Sequence, residues 1–278
     1  VTRIIRVIDF ETCGFPPDNA QIVEVATVDL VPALAGTRTD GSALLLWRRG
    51  RVWQSLVQPM RDIPPEASAI HHITNDMVFG CPEFHTLLPH ILDGDPVFCA
   101  HNSRFEIECA KLNEHVPVSA KPFDPSEPLV PAALPLSARP MLCTYKGAVT
   151  AWPDAPAHGN QVMRYWLGLK LQPPDELPEL YAPHRALGDA VVTAAIARRI
   201  LAIPACTIED WLALSSGPIL LPRLTFGEHA MKPIAEVPTS YFDWIVNKSK
   251  GPWDPDVMYT AQTQLAERRA ASRSRSPV

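Results

Sequence analysis

The sequence predicts an α/β fold followed by a small C-terminal appendage, and three observations carry that reading. Short apolar, strand-like runs open the chain, helix-period segments follow them, and the composition changes after Pro204. The 278 residues suffice for one large domain with its own core plus a further small unit.

Residues 3–10 and 21–31 read as strands, the second with partly alternating polarity. "SALLLWRR" and "VWQSLVQP" read as a hairpin turning at Gly50-Arg51, which gives an antiparallel three-stranded start. "EFHTLLPHIL" reads as a short helix and "PVFCA" (96–100) as a buried strand. "SRFEIECAKLNEH" places Phe105, Cys109 and Leu112 at helical spacing. From 116 to 140 proline is too dense for a central strand or a helix, so an extended surface excursion is expected. "NQVMRYWLGLKL" and the Ala-rich "LGDAVVTAAIARRILA" read as the later helices. Three units result: a main domain over 1–203, an aromatic-rich module over 204–250, and a basic tail over 251–278 expected to be disordered.

Composition narrows the function classes. No apolar run reaches the roughly 18 residues that span a bilayer, so no membrane partner is expected. No basic-then-apolar leader opens the sequence, which sets the cytoplasm as the expected location. The six cysteines are scattered without a CxxC pair, which argues against a zinc site or a disulfide framework. The net charge of −5 is unusual for a nucleic-acid binder. It falls to −1 if four of the acids hold two divalent cations, so charge alone does not exclude such a partner.

The chemistry concentrates in three places. Asp9 and Glu11 interrupt an apolar strand and, two residues apart, share the face of Ile5 and Val7. Two charges about 6 Å apart repel by about 3 kcal/mol at an effective dielectric of about 20, so solvent, a proton, a basic partner or a cation must offset them. Oxygen-only ligands favour magnesium or manganese over zinc; the competing reading is a strand that surfaces at its end. Glu106 falls in the first turn of a helix, where Ser103 and Glu106 also match a capping box. His184 precedes a helix whose first turn carries Asp189, a position the macrodipole stabilises in any case. What argues against coincidence is the order: strand-DxE, then His-Asn with an acid at a helix start, then H-x-x-x-x-D at another.

In these residues the chain resembles the DEDDh 3′→5′ exonucleases of the ribonuclease H-like fold. Asp9-Phe10-Glu11-Thr12 matches the first motif, His101 to Glu106 the second, and His184 to Asp189 the third. "AIHHITNDMV" and "LCTYKGAVTAWP" resemble the family's intervening segments, and coverage runs from about 3 to 203. "LTFGEHAMKPIAEVPTSYFDWI" is similar to the small C-terminal segment of one bacterial branch, in Phe226-Gly227, Lys232, Tyr241 and Trp244. Departures stand at Glu106, where the family has Asp, and at Glu228 and Met231, where it has a basic residue and a second glycine.

The resemblance implies a mixed central sheet flanked by helices and a two-metal phosphodiester hydrolase acting at 3′ ends. Asp9, Glu11, Glu106 and Asp189 would hold two divalent cations, Mg2+ or Mn2+, and His184 would take the proton from the attacking water. Thr12, Asn102 and His71 follow nucleotide-contacting positions, although His71 and Thr74 also fit a turn and a helix cap. Phe15 stands where that branch wedges residues between strands at a duplex end. The expected partner is nucleic acid, DNA before RNA. The alternatives are an RNA-trimming or proofreading enzyme of the same superfamily, and a nucleic-acid-binding module weakened in catalysis by Glu106.

Overall fold

The fold is described from a computed structural model that covers residues 3–15, 20–37, 43–114, 134–171, 182–203 and 206–274. Five strands form one mixed sheet in the order β3-β2-β1-β4-β5: β1 (Ile5–Thr12), β2 (Ile22–Thr37), β3 (Ala43–Leu56), β4 (Val97–Ala100) and β5 (Met141–Cys143). The first three pair antiparallel, while β4 and β5 run parallel to β1. The helices are α1 (Pro65–His71), α2 (Asn75–Val78), α3 (Phe84–Leu92), α4 (Ser103–Asn113), α5 (Thr144–Ala151), α6 (Asn160–Trp166), α7 (Ala186–Leu201), α8 (Ile208–Ser216), α9 (Thr239–Asn247) and α10 (Pro255–Ser274).

The period-2 alternation of β1 sorts its side chains onto two cores. Ile5 and Val7 join Leu142, Trp211 and the Ala-rich face of α7 on one side of the sheet. Ile8 and Phe10 join Phe84, Ile91, Cys109 and Ala110 on the side of α3 and α4. Phe10 meets Phe84 edge-on at 5.4 Å between ring centroids. Asp9 and Glu11 continue the row of Ile5 and Val7, so they emerge on the α7 side. Buried Arg6 ties β1 to β2 and to the end of α3, donating to both oxygens of Asp29 (2.7 and 2.9 Å) and to the carbonyls of Ile91 and Asp93.

Three sequence expectations are corrected. Gly50-Arg51 is not a turn: β3 is one continuous strand, and the register jumps from Val28↔Val52 to Leu30↔Arg49. Gly50 and Arg51 together therefore oppose Asp29 as a β-bulge, and a Cβ at Gly50 would lie 2.6 Å from the Val31 side chain. Most of the tail expected to be disordered from 251 is helical instead, because α10 runs through it to Ser274. Val257, Ala261 and Leu265, four residues apart, bury one stripe of α10 against Phe242 and Ile245 of α9. Arg268 donates to the carbonyls of Val237 (2.5 Å) and Ile234 (2.8 Å). The boundary expected at 204 moves as well. Trp211 of α8 is buried in the main core and donates to the Cys143 carbonyl at 3.0 Å, so the small module begins beyond α8.

Of the proline-dense excursion, residues 115–133 lie outside the described residues, and Leu136–Ala138 form a short 3-10 turn. Leu112 of α4 is exposed; the buried face of that helix is Ser103, Glu106, Cys109 and Ala110. No helix among the described residues is long and apolar enough to cross a membrane.

Candidate active site

Asp9 and Glu11, at the end of β1, meet Asp189, in the first turn of α7, with one carboxylate oxygen of each within 4.8 Å of the others. Like charges at that separation repel by about 3 kcal/mol per pair at an effective dielectric of about 20. Burial and the charges of Asp189, Glu106, Glu11 and Glu24 push the Asp9 carboxyl well above the usual range. Burial, then Asp189 and Glu24, push Glu11 up to about 8. Asp189 is also raised by burial, against the hydrogen bonds it accepts from Gln161 Nε2 (2.7 Å) and the His184 backbone N–H (2.9 Å).

Glu106 reaches the same place from the opposite side of the sheet. It belongs to α4, which packs on the Phe10 face, and for that reason it stands outside the close trio. The capping box does not form: Asn102 is the N-cap, Ser103 the first helical residue, and no side chain caps α4. Glu106 is buried with Oε2 lacking any hydrogen-bond partner, and burial raises its carboxyl well above the usual range. A buried, partnerless carboxylate oxygen beside three crowded carboxylates suits hard, oxygen-seeking divalent cations. The four acids therefore fit the expected metals.

The other expected residues are placed unequally. His184 is exposed, with its backbone at φ 59, and its charged form lowers the Asp189 carboxyl. That left-handed turn is what aims its N–H at Asp189. Thr12 closes β1, its hydroxyl donating to the Gly14 carbonyl at 2.6 Å. Phe15 is 77% exposed, with its ring 6.1 Å from that of Phe105. Asn102 is exposed at φ 65. His71 is buried: Nδ1 accepts the Ile73 N–H at 3.0 Å, and Nε2 has no hydrogen-bond partner among the described residues. Thr74 is the N-cap of α2, yet its hydroxyl makes no cap bond.

Sequence reasoning missed Glu24 and Gln161, and gave His101 of the second motif no role. Glu24 of β2, opposite Glu11 in the ladder, is buried and clasps Arg185 through two bonds (3.0 and 2.5 Å). It also accepts the Ala186 N–H at 3.0 Å, so a strand side chain caps α7. Its signal was there, since two like charges directly opposite across a ladder demand a partner. Gln161 holds Asp189 but lies in an unremarkable amphipathic run. His101 bonds Thr144 Oγ1 at 2.9 Å, and burial lowers its imidazole to about 4.

Comparison with known proteins supplies the family. The profile of the exonuclease family matches residues 7–197. The chain belongs to the exonuclease family. It is 29% identical over 247 residues to exodeoxyribonuclease 10 of Escherichia coli, covering 88% of this chain and 91% of that one. A DNA polymerase III subunit epsilon-like protein of Rhodobacter capsulatus is 30% identical over 198 residues, 70% of this chain but 23% of its own length. Among solved structures, exonuclease X in complex with 5′ overhanging duplex DNA superposes with a TM-score of 0.53 at 27% identity, over 76% of this chain and 99% of that one. The ribonuclease H-like sheet, the order of the acidic motifs and the exonuclease relatives agree with one another, and the protein is a 3′→5′ exonuclease of the DEDDh type.

Proposed function

We propose that this exonuclease acts on DNA, hydrolysing the terminal phosphodiester at single-stranded or duplex 3′ ends and releasing nucleoside 5′-monophosphates during repair or end processing. The observation that carries the reading is the trio of Asp9, Glu11 and Asp189 within 4.8 Å, with the partnerless Glu106 oxygen facing the same region. The similarity to exodeoxyribonuclease 10 over nearly the whole chain supports DNA as substrate.

In this reading Asp9, Glu11, Glu106 and Asp189 hold two divalent cations. When bound, such ions neutralise the phosphate and stabilise the attacking and leaving oxygens. The chain does the rest. The Glu24–Arg185 clasp and Gln161 fix the first turn of α7 and so the direction of Asp189. His184, exposed and next to Asp189, accepts the proton of the attacking water at an imidazole nitrogen. Thr12, Asn102 and His71 position the terminal nucleotide, and Phe15 stacks on a base or wedges a duplex end. The free thiols fit action in the reducing cytoplasm.

The test is a gel assay of 5′-labelled single-stranded DNA, blunt duplex and RNA with Mg2+ or Mn2+, with Asp9→Ala alongside. Stepwise shortening from the 3′ end on DNA, abolished in Asp9→Ala, is expected. Intact 3′ ends with both metals, or RNA cut faster than DNA, refute the proposal. Binding without turnover in Mn2+ favours the catalytically weakened module, a reading motivated by Glu106 standing outside the trio.

A further inference from the structure

At the end of the sheet away from the acids lies an open cleft of about 580 Å3, set between β3, the segment after α6 and the last turns of α7. Its floor is apolar, from Leu45, Leu169 and Leu201, and its rim carries four cations, Arg48, Lys170, Arg198 and Arg199. Among the described residues no acidic side chain lines it, and none of the four cations makes an ion pair or side-chain hydrogen bond. All four side chains are exposed.

Arg198 and Arg199 alone would be ordinary, because cations in the last turn of a helix complement its macrodipole. Arg48 and Lys170 have no such reason to be there, since they come from a strand and a loop that converge on the same opening. Four positive charges around one concavity, unpaired among the described residues in a chain of net charge −5, raise the local potential for a polyanion. An apolar floor beneath a cationic rim matches a nucleic-acid strand, whose bases are apolar on their faces and whose phosphates are not.

The cleft and the catalytic centre share α7. Asp189 stands in its first turn and Arg198 in its last, nine residues on, or about 14 Å at about 1.5 Å per residue. Arg48 pairs with Val31, beyond the Ile5↔Leu30 pair and therefore at the opposite end of β1 from Thr12. At about 3.4 Å per nucleotide in a duplex strand, about four nucleotides separate the two places.

We propose that this cleft is a second nucleic-acid contact, gripping the phosphodiester backbone on the 5′ side of the 3′ end being cut. It rests on the exonuclease reading and adds to it a length dependence: long substrates are held at two places, and substrates under about four nucleotides at one.

The test neutralises the rim with Arg48→Gln, Lys170→Gln, Arg198→Gln and Arg199→Gln in one variant, with a thermal melt to show that it folds. Anisotropy of a labelled single strand of about 30 nucleotides in EDTA is measured against salt, where each lost phosphate contact removes about 0.7 from the slope of log K against log salt. Affinity at least tenfold weaker and a slope reduced by about 2 to 3 are expected, with hydrolysis of a trinucleotide retained. An unchanged slope overturns the proposal, as does an equal loss on trinucleotide and long strand. If the wild type hydrolyses neither substrate the exonuclease reading fails, while the anisotropy series still decides the cleft. Binding of long strands that survives neutralisation, with loss of an acidic protein partner instead, would assign the cleft elsewhere and also overturns it.

Discussion

Glu24→Gln should destabilise the metal-free protein by about 2 kcal/mol at pH 7, although Glu24 touches no expected substrate atom. The substitution keeps the shape and removes the charge that accepts two bonds from Arg185 and one from the Ala186 N–H. Breaking a buried ion pair by removing one partner costs about 3–5 kcal/mol when the other charge is stranded. The Arg185 side chain is 33% exposed and can turn to water, which places this case below that range. An opposing effect exists, because the Glu24 charge also raises Asp9 and Glu11. At pH 7 it is small: Glu11, pushed up to about 8, keeps most of its proton, so little repulsion remains to be relieved. The assay is urea unfolding in EDTA of the wild type, Glu24→Gln, Arg185→Gln and the double variant. A coupling of about 1.5 kcal/mol is expected for a clasp that is two-point and half-buried. A single-variant loss or a coupling under about 0.5 kcal/mol would refute the assignment of Glu24 as the anchor of α7.

Shortening Glu106 to Asp withdraws its carboxylate by about 1.5 Å, a carbon–carbon length; it should raise turnover in Mg2+ relative to Mn2+ several-fold, and an unchanged ratio would disconnect Glu106 from the metals. Because Glu11 binds its proton more tightly folded than unfolded, its contribution to metal-free stability is full below the ordinary carboxylate range and is lost as pH rises through about 8. Buried His71 and His101 act oppositely but only below about 6.5, so melting temperature in EDTA should fall between about pH 6.5 and 8, with Mn2+ stabilising more at the upper end. A flat or rising profile there contradicts the crowded-acid picture. Met231 sits at φ 63 with its side chain 45% exposed, so Met231→Gly should stabilise the C-terminal module by about 0.5–1 kcal/mol in thermal unfolding, and a destabilised variant would deny the strain. Phe15→Ala should lower kcat/KM about tenfold or more on blunt duplex and less on single strands, given about 1–3 kcal/mol per stacked base; equal losses would exclude a wedge.

What the sequence disclosed, and what it hid, follows from the range of the forces involved. The strand ends and helix starts that carry Asp9, Glu11, Glu106 and Asp189 were legible, because periodicity and local turn chemistry are short-range. The α7 cap was not, since its acceptor lies 162 residues away on β2 and only the folded sheet brings Glu24 there. Gly50 was misread for a related reason. A glycine required by the approach of Val31 looks the same in sequence as one required by a turn. The tail was misjudged from the composition of its last dozen residues, whereas its fold is decided by the stripe of Val257, Ala261 and Leu265 further back. Met231 is the reverse case: the backbone is left-handed there at a residue that is not glycine.

The placement of the four acids decides what must neutralise them. β1 lies between an antiparallel and a parallel neighbour, so its carboxyl end opens on the crevice where open α/β sheets bind ligands. Two helices, α4 and α7, begin beside that crevice, each reached through a left-handed residue, Asn102 and His184, and each contributes an acid from its first turn. A helix N-terminus favours a carboxylate by about 0.3–1 kcal/mol, and by about 2 kcal/mol at best. The repulsion within the trio is about 3 kcal/mol for each of its pairs, before burial is counted. Repulsion and burial outweigh the dipoles, and the carboxyls are accordingly raised where dipoles alone would have lowered them. Arg185 is a cation that lowers the Glu11 carboxyl, yet its guanidinium is already committed to Glu24. Protons can fill the deficit at low pH. Above about pH 8, where Glu11 gives up its proton, the arrangement calls for positive charge beyond what the described residues provide there, and oxygen-seeking divalent cations match its sign.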